Sequence, residues 1–365
     1  MRFLHTADWQ IGMKAAHAGA AAQRVRDARI DVIRRIQALT REECVDFVLV
    51  AGDTFEDHGV SSRLIGQVGD LLAGFDCPVY LIPGNHDPLV AGGVWDRAST
   101  QWSRRVRLLF ERRPVEVPGG ILYPCPLYER WSDDDPTAWI PCEPARTIRI
   151  GMAHGSLALP LFQGERHHPI NPETAERAGL DYLALGDWHS VQRFRSRDGA
   201  ERTAYSGTPE PCSFGEDASG FVLLIDIDAP GAAPHIEQRR VGRLQWKTVR
   251  EEVNLPGQLA RLIADLRAHP EPEGTLVRLE LGGLLFAAES ACIDELDQLL
   301  ASRFLYGRLD VSRLVPAPDD DAWIENLPAG SIREAARRLR EAAAGDATAG
   351  QALLELYRIA QGDAA

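Results

Sequence analysis

Residues 184–190 read ALGDWHS. An apolar, strand-like run from Tyr182 to Leu185 stops at a glycine, and Asp187 and His189 then stand two positions apart. Side chains two apart on an extended segment point the same way, so this pair could face one shared object, with Trp188 turned away against the scaffold. Four earlier apolar runs end alike: Asp8 and Gln10 in HTADWQIG, Gly52 and Asp53 in VLVAGDTFED, Asn85, His86 and Asp87 in LIPGNHDP, and His154 in IGMAHGS. Asp, Asn and His are individually common in turns; five such clusters in this order are not explained by turns alone. Carboxylates, amides and imidazoles are ligands for divalent cations. Two such ions about 3.5–4 Å apart clamp a phosphoryl group and activate water, so the pattern points to hydrolysis of a phosphate ester.

Strands must bring these clusters together. The apolar runs Arg2–Thr6, Asp46–Ala51, Pro78–Ile82, Thr147–Ala153, Leu180–Leu185 and Gly220–Ile227 predict a layered α/β domain. Val25, Ala28, Val32, Ile36 and Leu39, at three- and four-residue spacing, predict a helix between the first two. In an open α/β sheet the crevice lies beyond the carboxyl ends of the strands, where all five clusters fall. DAPGAAP at 228–234 reads as a boundary loop. Beyond it strand (246–253), helix (259–268), strand (276–281), helix (291–300) and strand (305–314) predict a small α/β unit. The acidic stretch PAPDDDAW leads to a helical tail in which Ser331 and Glu334 stand at capping-box spacing, and Leu353, Leu354, Leu356 and Ile359 mark a last helix. That helix either packs on its own domain or docks a partner. The expected domains are 1–235, 236–318 and 319–365.

At 365 residues and 45% hydrophobic content the chain is long enough for about two globular domains. Its net charge of −13 has the wrong sign for non-specific coating of nucleic acid. Any such contact must be local, and two arginine groups are available: Arg104, Arg105, Arg107, Arg112 and Arg113, then Arg193, Arg195, Arg197 and Arg202. Either group is also readable as a solvated, charge-balanced surface. Six cysteines lack any C-x-x-C pair, so reduced thiols are expected. No basic, apolar leader opens the sequence and no stretch approaches about 18 apolar residues, so a cytoplasmic protein without a membrane span is expected. Neither G-x-x-x-x-G-K-[ST] nor G-x-S-x-G occurs.

The ordered series D-x-[HQ], GD, GNHD, a lone His and G-x-x-H resembles the calcineurin-like metallophosphoesterase superfamily. HTADWQIG, the YSGTPEPCSF segment at 205–214, the small second domain and the helical tail are similar to SbcD-type DNA repair exonucleases. The motif match spans residues 1–215 and is architectural beyond them. The resemblance implies a layered metallophosphoesterase β-sandwich flanked by helices, with a smaller α/β capping domain and a helical C-terminal tail. It implies a nuclease acting in DNA repair, hydrolysing phosphodiesters with a metal-bridging hydroxide, on DNA as substrate and with an SbcC-like coiled-coil ATPase as partner; a homodimer is compatible with it.

Carried over residue by residue, the resemblance makes Asp53 a bridging carboxylate. Asp8, Gln10 and His189 complete one metal site, and Asn85, His154 and Asp187 the other. His86 becomes the catalytic histidine that protonates the leaving group or stabilises the transition state, and Asp87 orients His86 or shapes its loop. Two positions depart from the common pattern: Gln10 and Asp187 stand where imidazoles are usual. Both offer oxygen, so the two metals are expected to be Mn²⁺, with Mg²⁺ second, rather than Zn²⁺. Arg193, Arg195 and Arg197 are the candidate DNA-backbone contacts.

Among the remaining residues, His5 reads as packed beside the first loop. Glu56, with Asp57 and His58, is positioned to line the site, and His167 and His168 read as surface residues. Two other functions stay open. One is a phosphodiesterase for small nucleotides; the other is a DNA-end-binding scaffold whose altered metal site no longer catalyses.

Overall fold

Hydrophobic side chains alternate along the N-terminal strands, and the alternation splits them between two layers. In the computed structural model, which describes all residues except 104, 143–145, 163–167, 319–320, 344 and 361–365, the chain forms two units, Met1–Leu244 and Gln245–Ala365. Arg104, His167, Asp319 and Asp320 therefore lie outside the described residues.

The first unit holds β1 (Arg2–Thr6), α1 (Ala22–Glu42), β2 (Phe47–Ala51), α2 (Ser62–Ala73), β3 (Val79–Ile82), α3 (Val94–Gln101), β4 (Val106–Leu108), β5 (Val115–Val117), β6 (Gly120–Cys125), β7 (Ile148–His154), α4 (Thr174–Arg177), β8 (Tyr182–Gly186), β9 (Gln192–Arg195), β10 (Glu201–Tyr205), β11 (Phe221–Asp226) and β12 (His235–Arg240). They make two six-stranded sheets, ordered β12-β11-β1-β2-β3-β4 and β5-β6-β7-β8-β10-β9. Strands β1 to β4 run parallel, as do β6, β7 and β8. Their carboxyl ends therefore gather into two rows.

Side chains alternate with period two on a strand. Phe3, Phe47, Leu49, Tyr80 and Ile82 of the first sheet pack against Ile148, Ile150, Met152, Tyr182 and Ala184 of the second, forming the inner core. Leu4, Val48, Val50, Val79 and Leu81 face outward, against α1 and α2. The far face of the second sheet packs Cys125, Ala153, Leu183 and Leu185 with Ala175, Ala178 and Leu180. This is a β-sandwich with helices outside it.

One charged residue lies in the apolar face of α1. Arg29 is 2% exposed, and its guanidinium donates to the carbonyls of Trp9 (2.9 Å), Glu210 (2.9 Å) and Asp8 (3.2 Å). An arginine has five donors in a rigid fork, so a single side chain fixes the loop after β1 to the segment around Glu210.

The boundary expected at 228–234 needs correction. That stretch closes an antiparallel hairpin between β11 and β12, in register from Phe221↔Arg240 to Asp226↔His235. Pro and Gly mark a turn here, and the first unit continues to Leu244.

The second unit has the expected alternation: β13 (Gln245–Val253), α5 (Gln258–Arg267), β14 (Thr275–Leu285), α6 (Ala291–Arg303) and β15 (Tyr306–Pro316), with the strands parallel in the order β13-β14-β15. Its core joins Val253, Val277, Leu279 and Leu281 to Leu259, Ile263, Leu296 and Leu300. The tail forms α7 (Ala322–Asn326), α8 (Ser331–Ala342) and α9 (Ala347–Ala360), closed on Ile324, Leu327, Ala336 and Leu353. Ser331 is the first helical residue of α8, after Gly330 at the cap, and Glu334 pairs with Arg338. The capping box is therefore not formed. No helix among the described residues is long and apolar enough to cross a membrane, and all six cysteines are free thiols.

Candidate metal centre

Each candidate ligand lies at or just beyond the carboxyl end of a parallel strand. Four of them, Asp8 (φ 55°), Gln10 (43°), Asp53 (51°) and Asp187 (105°), have left-handed or otherwise positive φ. Such backbone costs about 1–3 kcal/mol per residue and persists where the surroundings enforce it. Here loop-to-loop hydrogen bonds do so: Asp8 N–H to Gly52 O (3.2 Å) and Gln10 N–H to Asp53 O (2.8 Å). Close approach explains the glycines of the GD and GN pairs. A Cβ on Gly52 would lie 2.2 Å from His154 Nδ1, and one on Gly84 would lie 2.1 Å from Asp53 Oδ1.

His154 is fully buried; its Nδ1–H donates to Ala51 O (2.8 Å), which leaves Nε2 facing the cluster. Nε2 lies 3.0 Å from Asn85 Oδ1, 3.5 Å from Asp53 Oδ1 and 3.9 Å from Asp187 Oδ1. The other Asp187 oxygen accepts from Ser156 Oγ–H at 2.6 Å. On the other side His189 Nδ1–H donates to Glu216 Oε1 (2.7 Å), and its Nε2 stands 3.1 Å from the Gln10 amide. A half-turn of that amide exchanges its nitrogen for its oxygen. Asp8 Oδ1 accepts the Asp187 N–H at 3.0 Å, while Oδ2 is buried without a hydrogen-bond partner.

His86 is more open than these. Its Nδ1–H donates to Glu56 O (3.1 Å), its backbone N–H donates to Asp53 Oδ1 (2.9 Å), and Nε2 stands 4.0 Å from Asp53 Oδ2. Asp53, Asn85, His86, Asp187 and His189 all line one open cleft of about 560 Å³.

A family model for calcineurin-like phosphoesterases matches residues 1–191. The chain belongs to the calcineurin-like phosphoesterase family. It is similar to the SbcD component of the SbcCD nuclease of Rhodobacter capsulatus, at 29% identity over an alignment that covers 88% of this chain and 91% of that one. It is 28% identical to the metallophosphoesterase YhaO of Bacillus subtilis over 182 residues, 46% of this chain and 43% of that one. A probable cyclic nucleotide phosphodiesterase of Pseudoalteromonas, PSM_A2567, is 30% identical over 89 residues, 23% of this chain and 34% of that one. The chain thus spans less than half the length of two of these relatives.

The residues of this calcineurin-like phosphoesterase fit the divalent metals its family uses. Ligand atoms of Asp8, Asp53 and His154 all lie within 4.8 Å of one another, and the unpartnered Asp8 Oδ2 belongs to the same buried group. Burial opposes a charged His154, yet Asp53, Asp8 and Asp187 outweigh it and raise the ring to about 9. Burial also pushes the Asp8 carboxyl up to about 6. The cluster favours positive charge and is short of it.

Of the two roles expected of Asp87, its contacts are those of loop shaping: it is fully buried, and its carboxylate accepts from Gly84 N–H (2.7 Å) and Phe55 N–H (2.9 Å), tying the second loop to the third. Several other expectations change in this phosphoesterase. Trp188 does not simply alternate away. Positive φ at Asp187 breaks the extended geometry, and Trp188 both packs on the outer core and lines the cleft. Arg193, Arg195 and Arg197 are engaged by acids: the first two with Glu201 (3.5 and 3.7 Å), the third with Glu173 (2.5 Å) and Glu176 (3.2 Å). His168 is buried, at 3% exposure, because its ring and backbone hold the 129–132 segment. His58 accepts from Val94 N–H at the start of α3 and Asp57 closes a turn onto Gly59, so Glu56 alone of its trio lines the cleft. His5 packs between the sheets as expected.

Sequence reasoning missed Glu216. Its carboxylate is drawn down to about 2: burial opposes the charge, but His189 and the Cys212 N–H and thiol outweigh it. A short GEDASG stretch after a motif gives no periodic signal; only the fold brings it to His189.

Proposed function

We propose that this chain is a dinuclear-metal-dependent DNA nuclease acting in repair, the hydrolytic partner of an SbcC-like coiled-coil ATPase. The observation that carries the reading is the placement of His86: partly exposed in an open cleft, beside Asp53 and at the edge of the buried ligand cluster. An open cleft admits a phosphodiester within a long chain. Similarity to the SbcD component of the SbcCD nuclease through both units supports DNA as substrate.

In this reading Asp53 would be shared by both ions; Asp8, Gln10 and His189 would help hold one, and Asn85, His154 and Asp187 the other. Three carboxylates, two amides and two imidazoles favour Mn²⁺, then Mg²⁺. What two such ions supply when bound is an activated water and a clamp on the phosphoryl oxygens. Ala51 O and Glu216 fix His154 and His189 in the tautomer that offers Nε2. Glu56 O holds the His86 Nδ1–H, so a proton passed to the departing oxygen would leave from Nε2 of the doubly protonated ring, which ends as the neutral Nδ1–H form. Within the second unit, residues 245–318 are assigned to selecting and orienting DNA, and 319–365 to holding the ATPase.

Incubation with Mn²⁺ and labelled duplex and single-stranded DNA tests this. The wild type should cut, and His86→Ala and Asp53→Ala should each lose at least about a hundredfold in kcat. Similarity to PSM_A2567 favours a second reading, a phosphodiesterase for small nucleotides; turnover of cyclic nucleotides alone would select it. Binding of DNA and two metals without cleavage would select a scaffold.

A further inference from the structure

Among the described residues, the aromatic side chains most open to water are Tyr128 (42% exposed) and Trp131 (54%). They sit three residues apart on one segment, and each carries a guanidinium. Arg112 lies 5.3 Å from the Tyr128 ring centroid, and Arg130 lies 5.5 Å from that of Trp131. Trp131 and Arg130 line the same cleft as Asp53, His86 and His189.

The segment that carries these two aromatics is held by hydrogen bonds on both sides. Leu127 N–H donates to Pro83 O (3.3 Å) and Leu89 N–H to Leu127 O (2.8 Å), which fasten it to the loop that carries Asn85 and His86. Tyr128 Oη–H donates to Phe110 O (3.1 Å). On its far side the His168 Nε2–H donates to Glu129 O (3.1 Å) and the His168 backbone N–H to Ser132 O (2.9 Å). A buried imidazole thus holds an exposed indole in place.

Unpaired nucleobases stack on exposed aromatic faces with little regard to sequence, and a neighbouring arginine adds cation–π and phosphate contacts. We propose that Trp131 with Arg130, continued by Tyr128 with Arg112, forms a stacking platform for unpaired bases of the DNA strand entering the cleft. The inference rests on DNA as the substrate and narrows it to an unpaired end. Inside a duplex both faces of each base are already covered. The platform also supplies local cations to a chain of net charge −13, in place of the acid-paired arginines of β9.

The test is fluorescence anisotropy with labelled ten-nucleotide single strands in EDTA, one of thymidines and one abasic with the same phosphates. Wild type should bind the thymidine strand about five- to a hundredfold more tightly than the abasic strand. Its tryptophan emission should fall with the first strand only. Trp131→Ala should erase the difference, and Trp131→Phe should keep most of it. Equal affinities for the two strands in the wild type, no binding to either strand, or a difference that survives in Trp131→Ala would overturn the platform. A parallel Mn²⁺ cleavage assay separates the two ideas. Preference for bases without cutting removes the nuclease and leaves the platform; cutting with no preference for bases does the reverse.

Discussion

Glu216 shows how one residue sets the competence of another. Its carboxylate holds the His189 Nδ1–H at 2.7 Å and is itself held by the backbone N–H groups of Cys212 (2.8 Å) and Ser213 (3.2 Å). A carboxylate behind a ligating imidazole fixes its tautomer and raises its basicity. Glu216→Gln should therefore weaken Mn²⁺ binding by about 10- to 100-fold, with the fold intact. Titration followed by Mn²⁺ paramagnetic resonance reads this, and unchanged affinity would remove Glu216 from the centre. Asp8, Gln10, Asp53, Asn85, His154, Asp187 and His189 could be picked out in the sequence because each follows an apolar run. Glu216 and His168 could not, since both lie in irregular loops whose partners are far away in the chain. Asp87 stands in the same motif as His86, and only the direction of its carboxylate separates the two roles.

At the scale of elements, β1 and β8 are joined across the sandwich by a histidine. His5 Nε2–H donates to Leu185 O (3.2 Å), and Nδ1 accepts from the Tyr182 hydroxyl (2.9 Å). Burial, partly offset by the bond to Leu185, pushes this ring down to about 3 from its ordinary 6.5. Below pH 6.5 the unfolded chain binds a proton that the folded chain refuses. Stability is therefore lost as pH falls from about 6.5 toward 3, by up to about 1.4 kcal/mol per pH unit. A glutamine amide both donates and accepts hydrogen bonds but does not titrate. The urea midpoint of His5→Gln in EDTA should fall less steeply between pH 6 and 4 than that of the wild type; equal slopes would clear His5 of the effect. The six apolar runs were legible because strands buried on both faces are continuous hydrophobic stretches, five of them parallel and the sixth, β11, antiparallel to both its neighbours. Strands β9 and β12, reading QRFR and HIEQRR, were not: edge strands carry charge on their open side, and such short polar runs resemble loops.

Across the whole first unit, the candidate ligands come from both layers. Asp8, Gln10, Asp53 and Asn85 follow strands of the first sheet, and His154, Asp187 and His189 lie at the ends of β7 and β8 in the second. Cations bound there would join the two sheets and relieve the carboxylate crowding. A cation at a hundred times its dissociation constant adds about 2.7 kcal/mol, or roughly 5–10 °C for a unit of this size. EDTA should lower the melting temperature of the wild type by that amount and leave Asp53→Ala unmoved; equal shifts in both would place the stabilising ions elsewhere. The α/β alternation of the second unit was legible from its strand and helix lengths, whereas the sandwich was implied by resemblance, because pairing across layers leaves no periodic mark. With both sheets tied to one centre, heat becomes a reporter of its chemistry. A panel of divalent salts, ranked by how far each delays melting, would identify the preferred ion before any substrate had been found.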